Sequence, residues 1–405
     1  MRAYERLLRY VTVHTASVED AETTPSSARQ FDLARLLERE LRELGASDVF
    51  VDEHCYVYAK LPATAGCEDK PCIGFLAHLD TVPDFSGENV QPRVIENYDG
   101  GDVTLGTSGR TLSPKDFPHL AALKGNTLIV TDGTTVLGAD DKAGVAEIMT
   151  AAEELLRSGE MHGPVAIGFC PDEEIGHGAS LMDLERFGAS LAYTVDGGVL
   201  GEIEYENFNA AAAEVVFSGF NVHPGGAKDT MINASLVAME FNAMLPSGDT
   251  PRGTEGYEGF FHLLEMSGNV EKARLSYIIR DHDAGTFEAR KKMLLHIEKL
   301  LNAKYGAGTV TVTLREQYRN MLEMVKPHFE VVEKAMDAMR AAGIEPKAAP
   351  IRGGTDGAQL SFRGLPCPNL PTGSFGHHGP YEHAVAEHMD KCVETVVNIV
   401  REFAK

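Results

Sequence analysis

Four places in this 405-residue chain join a short apolar run to carboxylates or an imidazole, and together they constrain its fold more than any other feature. Residues 72–77 (C-I-G-F-L-A) lead into His78 and Asp80, residues 165–170 (V-A-I-G-F-C) into Glu173 and Glu174, and residues 191–195 (L-A-Y-T-V) into Asp196. The fourth is V-L-G-A-D-D-K-A-G at 136–144, where Asp140 and Asp141 stand in a turn. Its neighbours Gly138, Ala139, Ala143 and Gly144 are small enough to let backbone approach a buried anion. Apolar runs of this length read as buried strands, and the helix-like stretch 142–156 between them gives the alternation of an α/β fold. That pattern predicts a mostly parallel sheet sandwiched by helices. Open sheets of this kind bind ligands outside the carboxyl ends of their strands. One such terminus is as well explained by a solvated turn; four in succession point to one site.

The rest of the chain sorts around that sheet. Residues 28–44 carry Leu33, Leu36, Leu37, Leu41 and Leu44 at helical spacing, with Gly45 placed to cap the end. A Gly- and Asp-rich insertion covers 84–135, and its D-G turn at Asp132 and Gly133 predicts a hairpin between 127–131 and 134–137. From 208 to 317 the order changes to strand (211–218), helix (232–245), two strands (259–266 and 273–281), helix (286–305) and strand (309–314). That is the split β-α-β of a ferredoxin-like α+β domain. The expected organisation is therefore a catalytic domain made of 1–207 and 318–405, interrupted by an inserted domain at 208–317.

A formal charge of −23 excludes nucleic acid and anionic membrane as partners and suits a site for cations. The six cysteines form no C-x-x-C pair in a chain too large to need staples, so reduced thiols are expected. The amphipathic, charged start has no signal-like apolar region and no apolar run approaches ~20 residues, so a cytoplasmic protein is expected.

Imidazole and carboxylate ligands without cysteine favour Zn²⁺, with Mn²⁺ or Co²⁺ as substitutes. G-H-H-G, with His377 and His378, offers a fifth contributor late in the chain. Five ligands around a shared Asp140 would hold two ions about 3.5 to 4 Å apart, as in hydrolytic two-metal sites. In the E-E pair, adjacent residues point to different sides, so one can ligate while the other takes a proton.

The runs A-H-L-D-T-V, L-G-A-D-D-K-A-G, P-D-E-E-I-G, Y-T-V-D-G-G, H-P-G-G-A-K and G-G-T-D-G, in this order, resemble the peptidase T branch of the M20 metallopeptidases, the aminotripeptidases. The insertion with L-S-P-K-D-F-P and T-L-I-V-T-D-G-T-T-V-L-G resembles that branch too, and the resemblance spans the whole chain. It implies two zinc ions per subunit, one on His78, Asp140 and Asp196, the other on Asp140, Glu174 and His378. Asp80 would orient the His78 imidazole. Glu173 would be the general base acting on a metal-bridging water. His223, from the inserted lid and dimerisation domain of a partner subunit, would stabilise the oxyanion, which implies a homodimer. The family often has a cis peptide after the bridging aspartate, here between Asp140 and Asp141. The resemblance also makes Arg280 and Arg352 candidates for the substrate α-carboxylate, where a planar fork suits bidentate binding. Asn233 would assist them or cap the helix that begins there. The chain departs from the family in having His377 beside His378; the spacing to G-P-Y-E selects His378.

The implied activity is removal of the N-terminal residue from tripeptides. A dipeptidase or N-acyl amino-acid deacylase of the same fold is the nearest alternative, and a catalytically silent metal- and peptide-binding relative a second. Against the second stands Glu173, a free carboxylate that a silent protein has no need to keep.

Overall fold

The apolar run before the H-L-D motif forms the strand Ile73–His78, all six of whose residues are buried. Its neighbours Val165–Cys170 and Leu191–Gly197 lie parallel to it on either side, and Asn369–Pro371 continues the parallel set beyond the second. These strands are the middle of an eight-stranded sheet. Antiparallel additions flank them: Val57–Leu61 and Ser47–Val51 on one side, Glu202–Asn207 on the other. The structure, a computed structural model, describes residues 1–405 and comprises two units. The first contains Met1–Tyr205, Met321–Ala349 and Thr355–Lys405; the second contains Glu206–Asn320 and Pro350–Gly354.

In the first unit the helix Ala139–Ser158 packs on Ile73–His78 and Leu191–Gly197, and is covered in turn by Ala3–Tyr10 and Ala386–Ala404. Its approach to the sheet requires Gly144, where an added Cβ would lie 1.8 Å from the Val195 carbonyl oxygen. Arg6, buried, donates to Glu40 at 2.8 Å and to Glu153 at 2.6 Å and so ties three helices together. The expected helix at 28–44 is Gln30–Leu44, closed by Gly45 in the left-handed conformation with φ 96°.

The 84–135 insertion builds a small sheet of its own. Arg93–Ile95 and His383–Val385 pair antiparallel on either side of Leu128–Val130. Tyr98, Leu105, Leu112, Leu120 and Leu123 pack under it as a satellite core. The hairpin expected at Asp132–Gly133 does not form. Asp132 Oδ1 accepts the Thr134 N–H at 2.8 Å and Thr131 Oγ1 accepts the Gly133 N–H at 3.0 Å, so side chains close the turn locally. Leu128–Val130 finds its ladder partners in distant segments instead, because apolar side chains there complete the satellite core.

The second unit has a four-stranded antiparallel sheet in the order Phe260–Gly268, Lys272–Asp281, Asn209–Ser218, Val310–Tyr318. Helices Ala234–Ala243 and Ala284–Tyr305 cover it, burying Phe217, Phe241, Tyr277, Phe287 and Leu294. This is the strand order of the split β-α-β unit.

Candidate metal and catalytic centre

His78 is the last residue of its strand and is buried, so its imidazole is aimed by the sheet itself. Its Nε2 lies 2.9 Å from Asp140 Oδ1 and 3.5 Å from Asp196 Oδ1. Its Nδ1 lies 3.1 Å from the Asp80 carbonyl and 3.3 Å from Asp80 Oδ1. Asp80 thus sits behind the imidazole, which fixes the tautomer that presents Nε2. On the other side of Asp140, His378 Nε2 lies 3.2 Å from Asp140 Oδ2 and 3.1 Å from Glu174 Oε2. The five residues His78, Asp140, Glu174, Asp196 and His378, spread over three hundred positions of sequence, meet around the two oxygens of Asp140.

The turn that carries Asp140 is built to expose it. Gly138 is left-handed (φ 76°), and Asp140 and Asp141 depart from helical angles inside the first turn of Ala139–Ser158. The peptide between Asp140 and Asp141 is cis, as the resemblance implied. Asp141 points away into the structure, where it accepts the N–H groups of His78 at 3.1 Å and Gly144 at 3.2 Å. Of the paired histidines, His377 is the more remote from the shared aspartate: its Nδ1 lies 3.7 Å from Asp140 Oδ2 and its Nε2 bonds Ser374 Oγ at 2.8 Å.

Burial in a crowd of carboxylates sets the electrostatics. Burial, with the Asp196 charge beside it, pushes the Glu173 carboxyl well above the ordinary range. Burial likewise raises Glu174 to about 7 and raises Asp196. Asp140 goes the other way: against burial, the hydrogen bonds from His378 and His78 hold its carboxyl well below the usual range. The hydrogen bonds to Asp140 and Glu174 raise His378 to about 11. Six carboxylates (Asp80, Asp140, Asp141, Glu173, Glu174 and Asp196) thus crowd together with two imidazoles, the buried one of His78 and the half-exposed one of His378. Two divalent cations would offset that excess of negative charge, and imidazole nitrogen with carboxylate oxygen is a donor set that suits them. Two ligand triads can be drawn from atoms within 4.8 Å of one another, one of His78, Asp141 and Asp196 and one of His78, Asp140 and Glu174. The first contains Asp141, which the sequence reading left without a role. Since both its oxygens already accept backbone N–H groups, Asp140 is the better-placed aspartate for a cation.

Glu173 ligates nothing in this arrangement; it lines a small cavity with His78, Asp196, Thr194 and Asp356. Three further residues hold or flank the turns of the centre without a signal of their own in the sequence. Asp172 anchors the Glu173–Glu174 turn by accepting from Ser26 N–H at 2.7 Å and Gln30 Nε2 at 2.6 Å. Asp356, raised to about 7 by burial, packs on Gly178. Glu382 accepts two N–H groups of the Asp140 turn. Its only signal in the sequence is its place in G-P-Y-E after His378.

The expected substrate residues lie in the second unit. Arg352 Nη1 donates to the Gly256 and Glu258 carbonyls at 2.7 and 2.9 Å, and Nη2 to Thr254 Oγ1 at 3.0 Å. Arg280 Nη1 donates to the Ile279 carbonyl and to Gln317 Oε1, each at 3.0 Å, and its guanidinium lies over the Tyr318 ring. Asn233 caps Ala234–Ala243, its Oδ1 accepting from Ser235 N–H at 3.0 Å. His223 is exposed, and its Nδ1 accepts the Gly225 N–H at 3.2 Å.

Residues 136–402 match the model of peptidase family M20/M25/M40. Peptidase T of Clostridium perfringens is 55% identical over 405 residues, covering 100% of this chain and 99% of that protein. Among solved structures, aminopeptidase PepT from Bacillus cereus is similar with a TM-score of 0.79 at 24% identity, covering 100% of this chain and 98% of that one. A tripeptidase from Staphylococcus aureus is similar with the same TM-score, 0.79, at 20% identity, covering 100% and 98%. The chain belongs to peptidase family M20/M25/M40, in its peptidase T branch.

Proposed function

We propose that this chain is a dizinc aminotripeptidase that releases the N-terminal residue of short peptides in the cytoplasm and works as a homodimer. The observation that carries the reading is the meeting of five ligand-type side chains around Asp140 with one carboxylate, Glu173, left free beside them. His78, Asp140 and Asp196 would hold one ion, and Asp140, Glu174 and His378 the other. When bound, the ions supply Lewis acidity toward the scissile carbonyl and toward water.

The chain's own residues supply the rest. Glu173, which stays outside the ligand set and lines the small cavity beside His78 and Asp196, is placed to take a proton from water and return it to the leaving amine. Asp80 fixes the His78 ring through Nδ1 and accepts the N–H groups of Glu173 and Glu174, so one side chain sets both a ligand and the base. His223, with a ring nitrogen free on an exposed turn, is available to an oxyanion in a partner's site. Arg280 and Arg352 are the candidates for the substrate α-carboxylate, their guanidinium groups held by Gln317 and by the 254–258 loop, and Asn233, which caps Ala234–Ala243, would assist them. The exposed Leu236, Met239, Leu264 and Met266 of that unit support pairing of two copies.

The test is metal content per chain together with hydrolysis of matched di-, tri- and tetrapeptides. The proposal expects two ions and a strong preference for the tripeptide. Comparable turnover of dipeptides or N-acetyl amino acids would reassign the chain to the dipeptidase or deacylase alternative.

A further inference from the structure

Three turns of the centre share one construction, in which a buried carboxylate accepts two backbone N–H groups. Asp80 accepts those of Glu173 at 3.0 Å and Glu174 at 3.2 Å. Asp141 accepts those of His78 and Gly144. Glu382 accepts that of Gly138 through Oε2 at 2.8 Å and that of Asp140 through Oε1 at 2.9 Å. Asp80 and Asp141 are fully buried and Glu382 is 2% exposed, so each carboxylate exchanged its hydration for these amides.

The Glu382 pair bears on the side chain that everything else shares. Asp140 must direct Oδ1 toward His78 and Oδ2 toward His378 and Glu174 at once. Its backbone has left the helical conformation, with φ −84° and ψ 101°, so the first turn of the helix does not hold it. The two oxygens of Glu382 hold the amides on both sides of Ala139 instead. His378 lies four residues before Glu382, so one segment grips Asp140 twice, through the imidazole at its carboxylate and through Glu382 at its backbone. A carboxylate is the only side chain that presents two coplanar acceptors to two N–H groups; a glutamine would turn an NH₂ toward one of them.

We propose that Glu382 is a positioning residue of the metal centre, fixing the Asp140 turn so that both oxygens of the aspartate face the two cation positions. The inference rests on Asp140 being the shared ligand. Glu382 touches neither ion nor substrate and acts through Asp140.

The experiment titrates metal-stripped full-length protein with Zn²⁺ against a chromophoric chelator, for wild type, Glu382→Gln, Glu382→Asp and Asp140→Asn, with circular dichroism to measure the folded fraction. Glu382→Gln is expected to fold and to bind Zn²⁺ roughly 10- to 100-fold more weakly, the usual loss when a group that orients a ligand is removed. Its kcat is expected to recover at excess metal with KM for a tripeptide unchanged. Glu382→Asp keeps both acceptors on a shorter stem, so its affinity should fall between the two. Wild-type Zn²⁺ affinity of folded Glu382→Gln would overturn the proposal. Should that variant not fold, wild-type affinity of Glu382→Asp would overturn it equally. Asp140→Asn separates this from the underlying reading: if it keeps Zn²⁺, Asp140 is not the shared ligand, whereas loss there with no loss at Glu382→Gln defeats the positioning role alone.

Discussion

His383 gives the sharpest link between structure and pH. Its ring is fully buried at the start of His383–Val385. The His119 and Phe375 rings stack on it, with centroids at 5.1 and 5.5 Å. Nδ1 donates to the Tyr381 carbonyl at 2.8 Å, which leaves Nε2 to accept from His119 Nε2 at 2.9 Å. That tautomer has no place for a second proton. Burial, helped by the neighbouring His119 and His377, lowers the imidazole from 6.5 to about 4. The sign follows from linkage: as pH falls below 6.5 the unfolded chain binds a proton that the folded chain refuses until about 4. Stability from this group is therefore complete above pH 6.5 and is lost on the way down to about 4, where the loss levels off. The full difference is roughly 3 kcal/mol, of which about 2.5 kcal/mol is lost by about pH 4.5. The assay is urea unfolding of wild type and His383→Gln with chelator present, between about pH 7 and 4.5. The glutamine oxygen can still accept from His119 but does not titrate. Wild type should lose about 2 to 3 kcal/mol more than the variant over that range. Parallel pH profiles for the two proteins would refute the reasoning.

Replacing Glu173 with glutamine should leave metal content unchanged while kcat falls by roughly 10²- to 10⁴-fold; a variant that keeps both metal and rate would show that the base lies elsewhere. Asp80→Asn removes an acceptor from His78 Nδ1 or from the Glu173 and Glu174 amides, so Zn²⁺ affinity should drop roughly 10- to 100-fold, measured by chelator competition. In Gly144→Ala the new methyl would meet the Val195 carbonyl at 1.8 Å and Asp141 Oδ1 at 2.5 Å. Overpacking against backbone should cost on the order of 3 kcal/mol in urea unfolding, and an unchanged midpoint would contradict the close packing described.

What the sequence made legible follows from how local each signal is. Strands buried on both faces, such as Ile73–His78 and Val165–Cys170, announce themselves as unbroken apolar runs, and the residues after them fall at the sheet's carboxyl edge whatever the loops do. The split β-α-β order of 208–317 was readable for the same reason, through alternation and helical spacing. Residues whose role is set by a distant partner were not. Nothing near Glu382 signals that it meets the Gly138 and Asp140 amides from 244 and 242 positions away. Asp172 and Asp356 are hidden likewise, since a carboxylate that binds backbone leaves no spacing pattern. The hairpin expected at Asp132 failed because a D-G pair reports a turn and not what the flanking strand pairs with, and Leu128–Val130 pairs with His383–Val385 instead. For Asn233 the residue type fitted two roles, of which the helix cap is the one the side chain performs here, its Oδ1 accepting from Ser235 N–H.

The central claim is that one aspartate is shared by two cations. Crystals grown with Zn²⁺ and measured on both sides of the zinc absorption edge test it directly. The account predicts two anomalous peaks per chain, both contacting Asp140, with His78 and Asp196 completing one and Glu174 and His378 the other. A single peak, or two peaks of which only one touches Asp140, would contradict it.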